Sequence, residues 1–284
     1  MVRIVTDTTA ALPADFVQRY DIPVLPQVVN FGVESYLEGV DLDMQTFMDK
    51  LTSSRELPKT AAPPPELFVE VFRKLVPTGE PILCLHPSTE LSGTVRSATL
   101  AKAEFPDADI RVIDTRLIAG GLATLVKLAA RWAEAGTDAD TIERRICELV
   151  PRCRIYFVVQ TLEYLARGGR IGGASALLGS LLQVKPILML HDGRVEALER
   201  VRTRQRALAR MEELILADYP RHEDGHVCVM HAGAEAEGRA LAERLGGQLG
   251  VKDVPLYYMP PAIATHAGPG VLATAFFVAP DKEQ

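Results

Sequence analysis

The chain has no C-x-x-C pair: its four cysteines, Cys84, Cys147, Cys153 and Cys228, stand apart from one another. A disulfide framework is thereby disfavoured, and a reduced cytoplasm is the expected setting. Although 48% of the residues are hydrophobic, no uniformly apolar run is long enough to span a bilayer. Met1-Val2-Arg3-Ile4 runs straight into a strand pattern, with no charged segment followed by an apolar one, so no secretion signal is expected. There is no G-x-x-x-x-G-K-[ST] nucleotide loop. No G-x-G-x-x-G follows the first apolar run, and no G-x-S-x-G elbow presents a nucleophile. Positive charge is not in excess either. The formal net charge is −6, which argues against binding nucleic acid by phosphate neutralisation, and no recognition helix is evident. No fixed-period repeat and no low-complexity tract appears.

What the sequence does contain is an alternation of strand and helix patterns over 284 residues, enough for two domains. Val2–Val5 is a short apolar strand, and Thr6-Asp7-Thr8-Thr9 follows it. Ala14–Tyr20 reads as a helix with Pro13 suited to its start. Val24–Phe31 reads as the second strand and Glu34–Gly39 as its continuation. Helices follow at Met44–Leu51 and Glu66–Leu75, joined by an extended, proline-rich connector, Pro58–Pro65. Further strands at Ile82–Leu85 and Ala108–Asp114 alternate with helices at Gly120–Ala135 and Thr141–Val150. Such alternation predicts an N-terminal α/β domain with a mostly parallel sheet covered on both faces.

Near residue 152 the pattern changes. Val184–Leu190 and Val195–Val201 flank His191-Asp192-Gly193-Arg194, and an Asp-Gly turn between two β-like runs predicts a hairpin. The second half therefore contains antiparallel pairing. We divide the chain into a domain over 1–152 and a C-terminal α/β domain with a mixed sheet over 153–284.

Pro81–Ala98 draws attention as a buried strand, a hydroxyl-rich loop and a helix start. The amides of a helix start can hold an anion, and Gly93 permits close approach. Equally, Ser92 could do no more than cap the first turn. Asp7, at the end of the first strand, is either ligand-facing or a cap for the turn after it. Thr60, Ser92 and His266 each lie in a Gly- or Pro-rich turn, His266 in Thr265–Gly270, and each can donate a hydrogen bond. Convergent, they would suit a carboxylate or phosphate. Ser92 would be a nucleophile only with a histidine in reach and an acid behind it, for which Asp7 and Asp114 are the available carboxylates. That leaves a serine-dependent hydrolase of an acyl or phosphate ester as an alternative. His222, Asp224, His226, Cys228 and His231 lie close in sequence, but their spacing matches no standard zinc pattern and no metal site is expected. Arg200, Arg202, Arg204, Arg206 and Arg210 crowd one segment, either a solvated helical face or a docking patch for an acidic partner.

Taken together, several stretches resemble the DegV family of bacterial fatty-acid-binding proteins, over nearly the whole chain. They are Ile4–Ala10 with Leu12-Pro13, Thr60 before the prolines, Leu91-Ser92-Gly93-Thr94 with Ser97-Ala98, Val112–Thr115, Thr161–Leu165 with Gly168–Ile171, Lys185–Leu188, and His266–Gly270. Two stretches depart from the family's usual reading. Thr60-Ala61-Ala62-Pro63 stands where Thr-Ser-Gln-Pro is common, and His86-Pro87-Ser88-Thr89 where a serine pair is common. The resemblance implies two domains with a lipid tunnel between them and a fatty acid carboxylate held by Thr60, Ser92 and His266. It also implies that the protein has no turnover and no cofactor of its own. Its role would be to present a long-chain fatty acid to a separate ATP-binding kinase subunit for acyl-phosphate formation, with that subunit docking near Arg170 and Arg202. Peripheral membrane contact would serve lipid exchange. Burying about fourteen methylenes at about 0.8 kcal/mol each gives roughly 11 kcal/mol to offset desolvation of the carboxylate. Hydroxyl donors and a protonated His266 would lower that desolvation cost. Ala174, Leu177, Leu178 and Leu181 are expected either to line the tunnel or to pack in the ordinary core.

Overall fold

The protein, as a computed structural model, is described over residues 1–54, 56–178, 185–220 and 224–280. Its first 114 residues carry seven strands: β1 (Arg3–Asp7), β2 (Val24–Leu25), β3 (Val28–Phe31), β4 (Glu34–Leu37), β5 (Lys59–Ala61), β6 (Ile82–His86) and β7 (Ile110–Asp114). The sheet of order β2-β1-β6-β7 is parallel throughout. Every residue of β6 is buried, as expected of a strand covered on both faces. Ile82 and Cys84 point to one core, with Phe68 and Phe72 of the Pro65–Leu75 helix and Ala98 of the Thr94–Lys102 helix. Leu83 and Leu85 point the other way, towards Leu122, Leu125 and Val126 of the long helix Ala119–Glu134.

The remaining strands are β8 (Cys153–Val158), β9 (Lys185–His191), β10 (Arg194–Val201), β11 (Cys228–Ala232), β12 (Leu256–Tyr258) and β13 (Val271–Phe277). They form one mixed sheet of order β10-β9-β8-β13-β11-β12, in which only β11 and β12 run parallel. The fold is therefore α/β with a parallel sheet and a mixed sheet. Helix Ala119–Glu134 packs against β1 and β6 on one side and against β8, β11 and β13 on the other. One core cluster consequently runs from Leu83 and Leu85 through that helix to Ile155, Met230 and Phe277. The expected hairpin is present. Arg194 pairs with His191 across Asp192 and Gly193, both at positive φ (50° and 80°), the backbone of a tight primed turn.

Three segments differ from expectation. Val24–Phe31 is two strands, because Pro26 interrupts it: Val24–Leu25 joins the parallel sheet, and Val28–Phe31 starts a separate three-stranded sheet of order β4-β3-β5. The proline-rich connector contains β5, paired antiparallel to β3 with Thr60 opposite Val29. His266 lies not in a turn but in the last turn of a helix, Pro261–Ala267, started by Pro261 and ended at Gly268. No described helix is long and apolar enough to cross a membrane.

Candidate functional site

A cavity of about 910 Å³ between atoms, its mouth included, opens beside the N-terminal end of helix Ala119–Glu134. Ile118, Ile155, Phe157, Leu190, Met230 and Ala273 give it an apolar wall drawn from both halves of the chain. At one end the wall turns polar: Thr60, Ser92, Arg170 and His266 all face it. Thr60, Arg170 and His266 also line an outer groove with Lys59, Tyr164 and Arg167. The three residues thus stand between an apolar interior and a charged surface.

Each polar residue reaches this place by a different route. Pairing of β5 with β3 holds Thr60 half-buried between the exposed Lys59 and Ala61. Ser92 sits in the turn after β6, where the amides of Leu91 and Ser92 both donate to the Ser88 carbonyl (3.0 and 2.9 Å). Ser92 does not cap the following helix. The N-cap is Gly93, without a side-chain bond, and Ser92 Oγ accepts a long 3.3 Å bond from the Thr94 amide. Arg170 ties the two loops together, donating from Nε to the Leu91 carbonyl (3.0 Å) and from Nη1 to the Gly168 carbonyl (2.7 Å). It has no ion pair with a carboxylate of the described residues, so its charge is available to the cavity.

Thr60 Oγ1 and His266 Nε2 are 2.8 Å apart. Burial, with the Arg170 guanidinium nearby, pushes the His266 pKa down to about 4. The imidazole of the ligand-free protein is therefore neutral at pH 7. Its Nδ1 is buried and has no hydrogen-bond partner among the described residues. Gly168 packs against that edge so closely that a Cβ there would strike the ring.

Two requirements of the hydrolase alternative are not met here. No acid of the described residues backs His266. Asp7 Oδ2 lies 2.8 Å from His86 Nδ1, and Asp114 accepts from Thr89 and from the Arg116 amide. Ser92 Oγ pairs with Thr94 Oγ1 (2.8 Å), not with His266. The described residues thus do not assemble the nucleophile, base and orienting acid that a hydrolase would need. Asp7 is fully buried and accepts from the Thr9 amide, so of its two readings the capping one applies. Of the two readings offered for the tunnel candidates, Ala174 and Leu177 take the core one. Ala174 and Leu177 belong to a 3-10 helix, Gly172–Leu177, packed against β10, while Leu178 is 44% exposed. None of the three lines the cavity, and Leu181 falls outside the described residues.

The neighbourhood of Cys228 is likewise structural. His226 pairs with Asp224 (3.0 Å) and the His231 ring packs on Tyr258, while His222 lies outside the described residues. Among the described residues no group of three or more His, Cys, Asp and Glu side chains converges as a metal site would require. In the basic segment, Arg204 is engaged by Glu237 and Arg210 by Glu199 and Glu213. Arg200, Arg202 and Arg206 are exposed. Sequence reasoning missed Gln27, Thr94 and Glu38. Glu38 is 3% exposed and accepts hydrogen bonds from Thr8 Oγ1 and from the Ala262 amide at the start of the His266 helix. No local motif marked Gln27 or Glu38, and Thr94 stood in the Leu91–Thr94 stretch with no role assigned, because the contacts that join them to the site come from distant segments.

Comparison with known proteins agrees with this architecture. The family model for DegV, described as an uncharacterised protein family, matches residues 1–279. A DegV domain-containing protein from Streptomyces coelicolor is 41% identical over 273 residues, covering 95% of this chain and 96% of that protein. A fatty-acid-binding DegV family protein from Thermus thermophilus superposes with a TM-score of 0.90 at 33% identity, covering 98% of this chain and 99% of the other. A stearic-acid-binding protein from Eubacterium ventriosum superposes at 0.88 with 26% identity, covering 99% of each chain. By the family match, the extent of the identity and the shared fold, the chain described above belongs to the DegV family.

Proposed function

We propose that this protein binds one long-chain fatty acid, with the tail in the apolar cavity between units 1–152 and 153–284 and the carboxylate held by Thr60, Ser92 and His266. The observation that carries this reading is the composition of the cavity: mostly apolar walls, broken by Thr9 and Gln27, with the Thr60 and Ser92 hydroxyls, an imidazole and an unneutralised guanidinium gathered at one end. An acyl chain matches the first part and an anion the second. A neutral His266 suits the role. With Nε2–H donating to Thr60 Oγ1, His266 acts on the carboxylate through Thr60, whose hydroxyl is then free to donate to it. Arg170 supplies the positive charge that His266 does not. The solved relatives described above as binding fatty acids support this reading.

The carboxylate end faces the outer groove, so a partner could reach it without withdrawing the tail. We propose that the chain has no turnover of its own and presents the carboxylate to a separate ATP-binding kinase subunit, which makes the acyl phosphate. In this scheme Arg170 meets the partner at the rim, and the exposed Arg202 with Arg200 and Arg206 forms the basic face on which it docks. Native mass spectrometry of the purified protein is the first test. A stoichiometric fatty acid released on denaturation is expected, whereas a protein that is empty and takes up no added fatty acid would overturn the binding reading. Reconstitution with the ATP-binding subunit follows. Arg202→Ala is expected to keep its lipid and lose acyl-phosphate formation, and unchanged formation would remove Arg202 from the docking face.

A further inference from the structure

Behind Ser92 runs a chain of buried polar groups that ends in a carboxylate. Asp7 is fully buried, and its Oδ2 meets His86 Nδ1. Its Oδ1 accepts from the Thr9 amide (3.0 Å), the Thr9 hydroxyl (2.6 Å) and Gln27 Nε2 (2.9 Å). Gln27 is 3% exposed, and the same Nε2 lies 2.9 Å from Thr94 Oγ1, itself fully buried. Thr94 Oγ1 is in turn 2.8 Å from Ser92 Oγ. Two members of this sequence, Gln27 and Ser92, line the cavity, as Thr60 and His266 do, whereas Asp7 and Thr94 do not.

The direction of these bonds follows from chemistry. An ionised carboxylate only accepts, so Gln27 must turn its NH2 towards Asp7. One amide hydrogen goes to Asp7 and the other to Thr94. Thr94 Oγ1 is then already an acceptor, and its own hydrogen has the Ser92 oxygen as its near partner. Ser92 Oγ also receives the Thr94 amide (3.3 Å). With two donors pointing at its oxygen, Ser92 has its own hydrogen left for the cavity. Without this relay, Ser92 could equally donate to Thr94 and turn its lone pairs towards the cavity, where they would repel an anion.

We infer that Asp7, Gln27 and Thr94 form a positioning relay that fixes the Ser92 hydroxyl as a donor towards the cavity and so selects an acceptor-only head group, a carboxylate. The inference rests on the fatty acid reading for its ligand but not for its geometry. Thr94 lies behind the cavity lining and acts through Ser92, while Gln27, itself part of that lining, holds Thr94.

The test uses the full chain, with a long-chain fatty acid and the alcohol of the same length as probes. Thr94→Val keeps the β-branched shape and removes the hydroxyl. It is expected to weaken acid binding about tenfold, the order of one charge-assisted hydrogen bond, and to change alcohol binding less than twofold. Thr94→Ser restores the acid. In a Ser92→Ala background, Thr94→Val should cause no further loss. Equal weakening of acid and alcohol, or losses that simply add to those of Ser92→Ala, would show a structural role and overturn the relay. A second measurement needs no ligand. In the free protein, both Gln27 side-chain amide hydrogens should exchange slowly with solvent, and one should speed up in Thr94→Val. Exchange as fast as in an exposed glutamine would sink the relay even if the fatty acid binds. Slow exchange in a protein that binds neither probe would keep the relay and reject the fatty acid.

Discussion

Thr60 and His266 are separated by 206 positions in the chain, and their side chains meet at 2.8 Å. The contact joins β5 of the small N-terminal sheet to the helix Pro261–Ala267, whose own start is held by Glu38 of the N-terminal half. The polar end of the cavity is therefore made at a seam between early and late parts of the chain. Changes there should affect ligand binding and stability together.

Removing the Thr60 hydroxyl tests that seam. Thr60→Val keeps the shape suited to β5 and leaves His266 Nε2 buried without a partner, which costs about 1–3 kcal/mol. Combined with His266→Ala, the loss should be clearly smaller than the sum of the two single losses, because each removes the same bond. Denaturant unfolding of the four proteins measures this, and strict additivity would mean that the bond contributes nothing.

Gly168 is predicted to be intolerant of any side chain. A Cβ there would strike His266 Nδ1 and crowd the Tyr164 carbonyl. Gly168→Ala should lower stability by about 1–3 kcal/mol, the range for overpacking a filled site, and displace the imidazole from Thr60. Part of the stability should return in Gly168→Ala with His266→Ala, where the ring is gone. No recovery in the double variant would place the strain in the backbone instead.

Two buried titrating groups oppose each other in the pH dependence of stability. His266 has its pKa pushed from 6.5 down to about 4 by burial and Arg170. As pH falls through that window, the unfolded chain takes up a proton that the native ring refuses, and stability drops. Glu38 has its pKa raised from 4.5 to about 7, chiefly by burial and also by the nearby Asp7 charge, against the bonds from Thr8 and Ala262. As pH rises through that window, the unfolded chain gives up a proton that the native carboxyl keeps, and stability again drops. Each contribution is about 3 kcal/mol at most, so the two largely cancel near pH 5–6. Glu38→Gln should leave stability rising with pH up to about 6.5, and His266→Gln should leave it falling from about 4.5 to 7. Unfolding midpoints across pH 4 to 8 decide this, and parallel profiles in the two variants would refute it.

The apolar wall should set the length of the bound chain. Ala273 lies on β13 between Phe157 and Met230 and faces the cavity. Ala273→Leu fills part of that space, and each methylene excluded removes about 0.8 kcal/mol of burial. The fatty acids recovered from the variant should shift to shorter chains than those from the parent protein. An unchanged distribution in the mass spectrum would place the tail along another wall.

Much of the fold was legible because its signals are local. A continuous apolar run such as Ile82–Leu85 reads as a buried parallel strand, Asp192-Gly193 as a hairpin turn, and the Phe68, Phe72 and Leu75 spacing as one face of a helix. Errors arose where pairing overrode local pattern. Pro26 splits one apolar run between two sheets, and Lys59–Ala61 becomes a strand only because β3 lies beside it. The segment around His266 looked like a turn from its glycines, yet Pro261 starts a short helix ahead of them.

The sequence by itself determined the alternating α/β plan, the mixed pairing of the second half, the family, and three donors able to hold an anion. Those follow from periodicity, turn chemistry and residue type, which neighbouring positions carry. Only the tertiary structure decided which groups meet. It set Thr60 against His266 and Arg170 between two loop carbonyls, and it placed Asp7 with His86 and Gln27 instead of behind a catalytic base. It also made His266 neutral, since the displacement of its pKa comes from burial and a neighbouring charge that residue type alone does not carry. A hydrogen bond depends on separations of a few tenths of an ångström between distant segments, and packing fixes those distances where local sequence cannot.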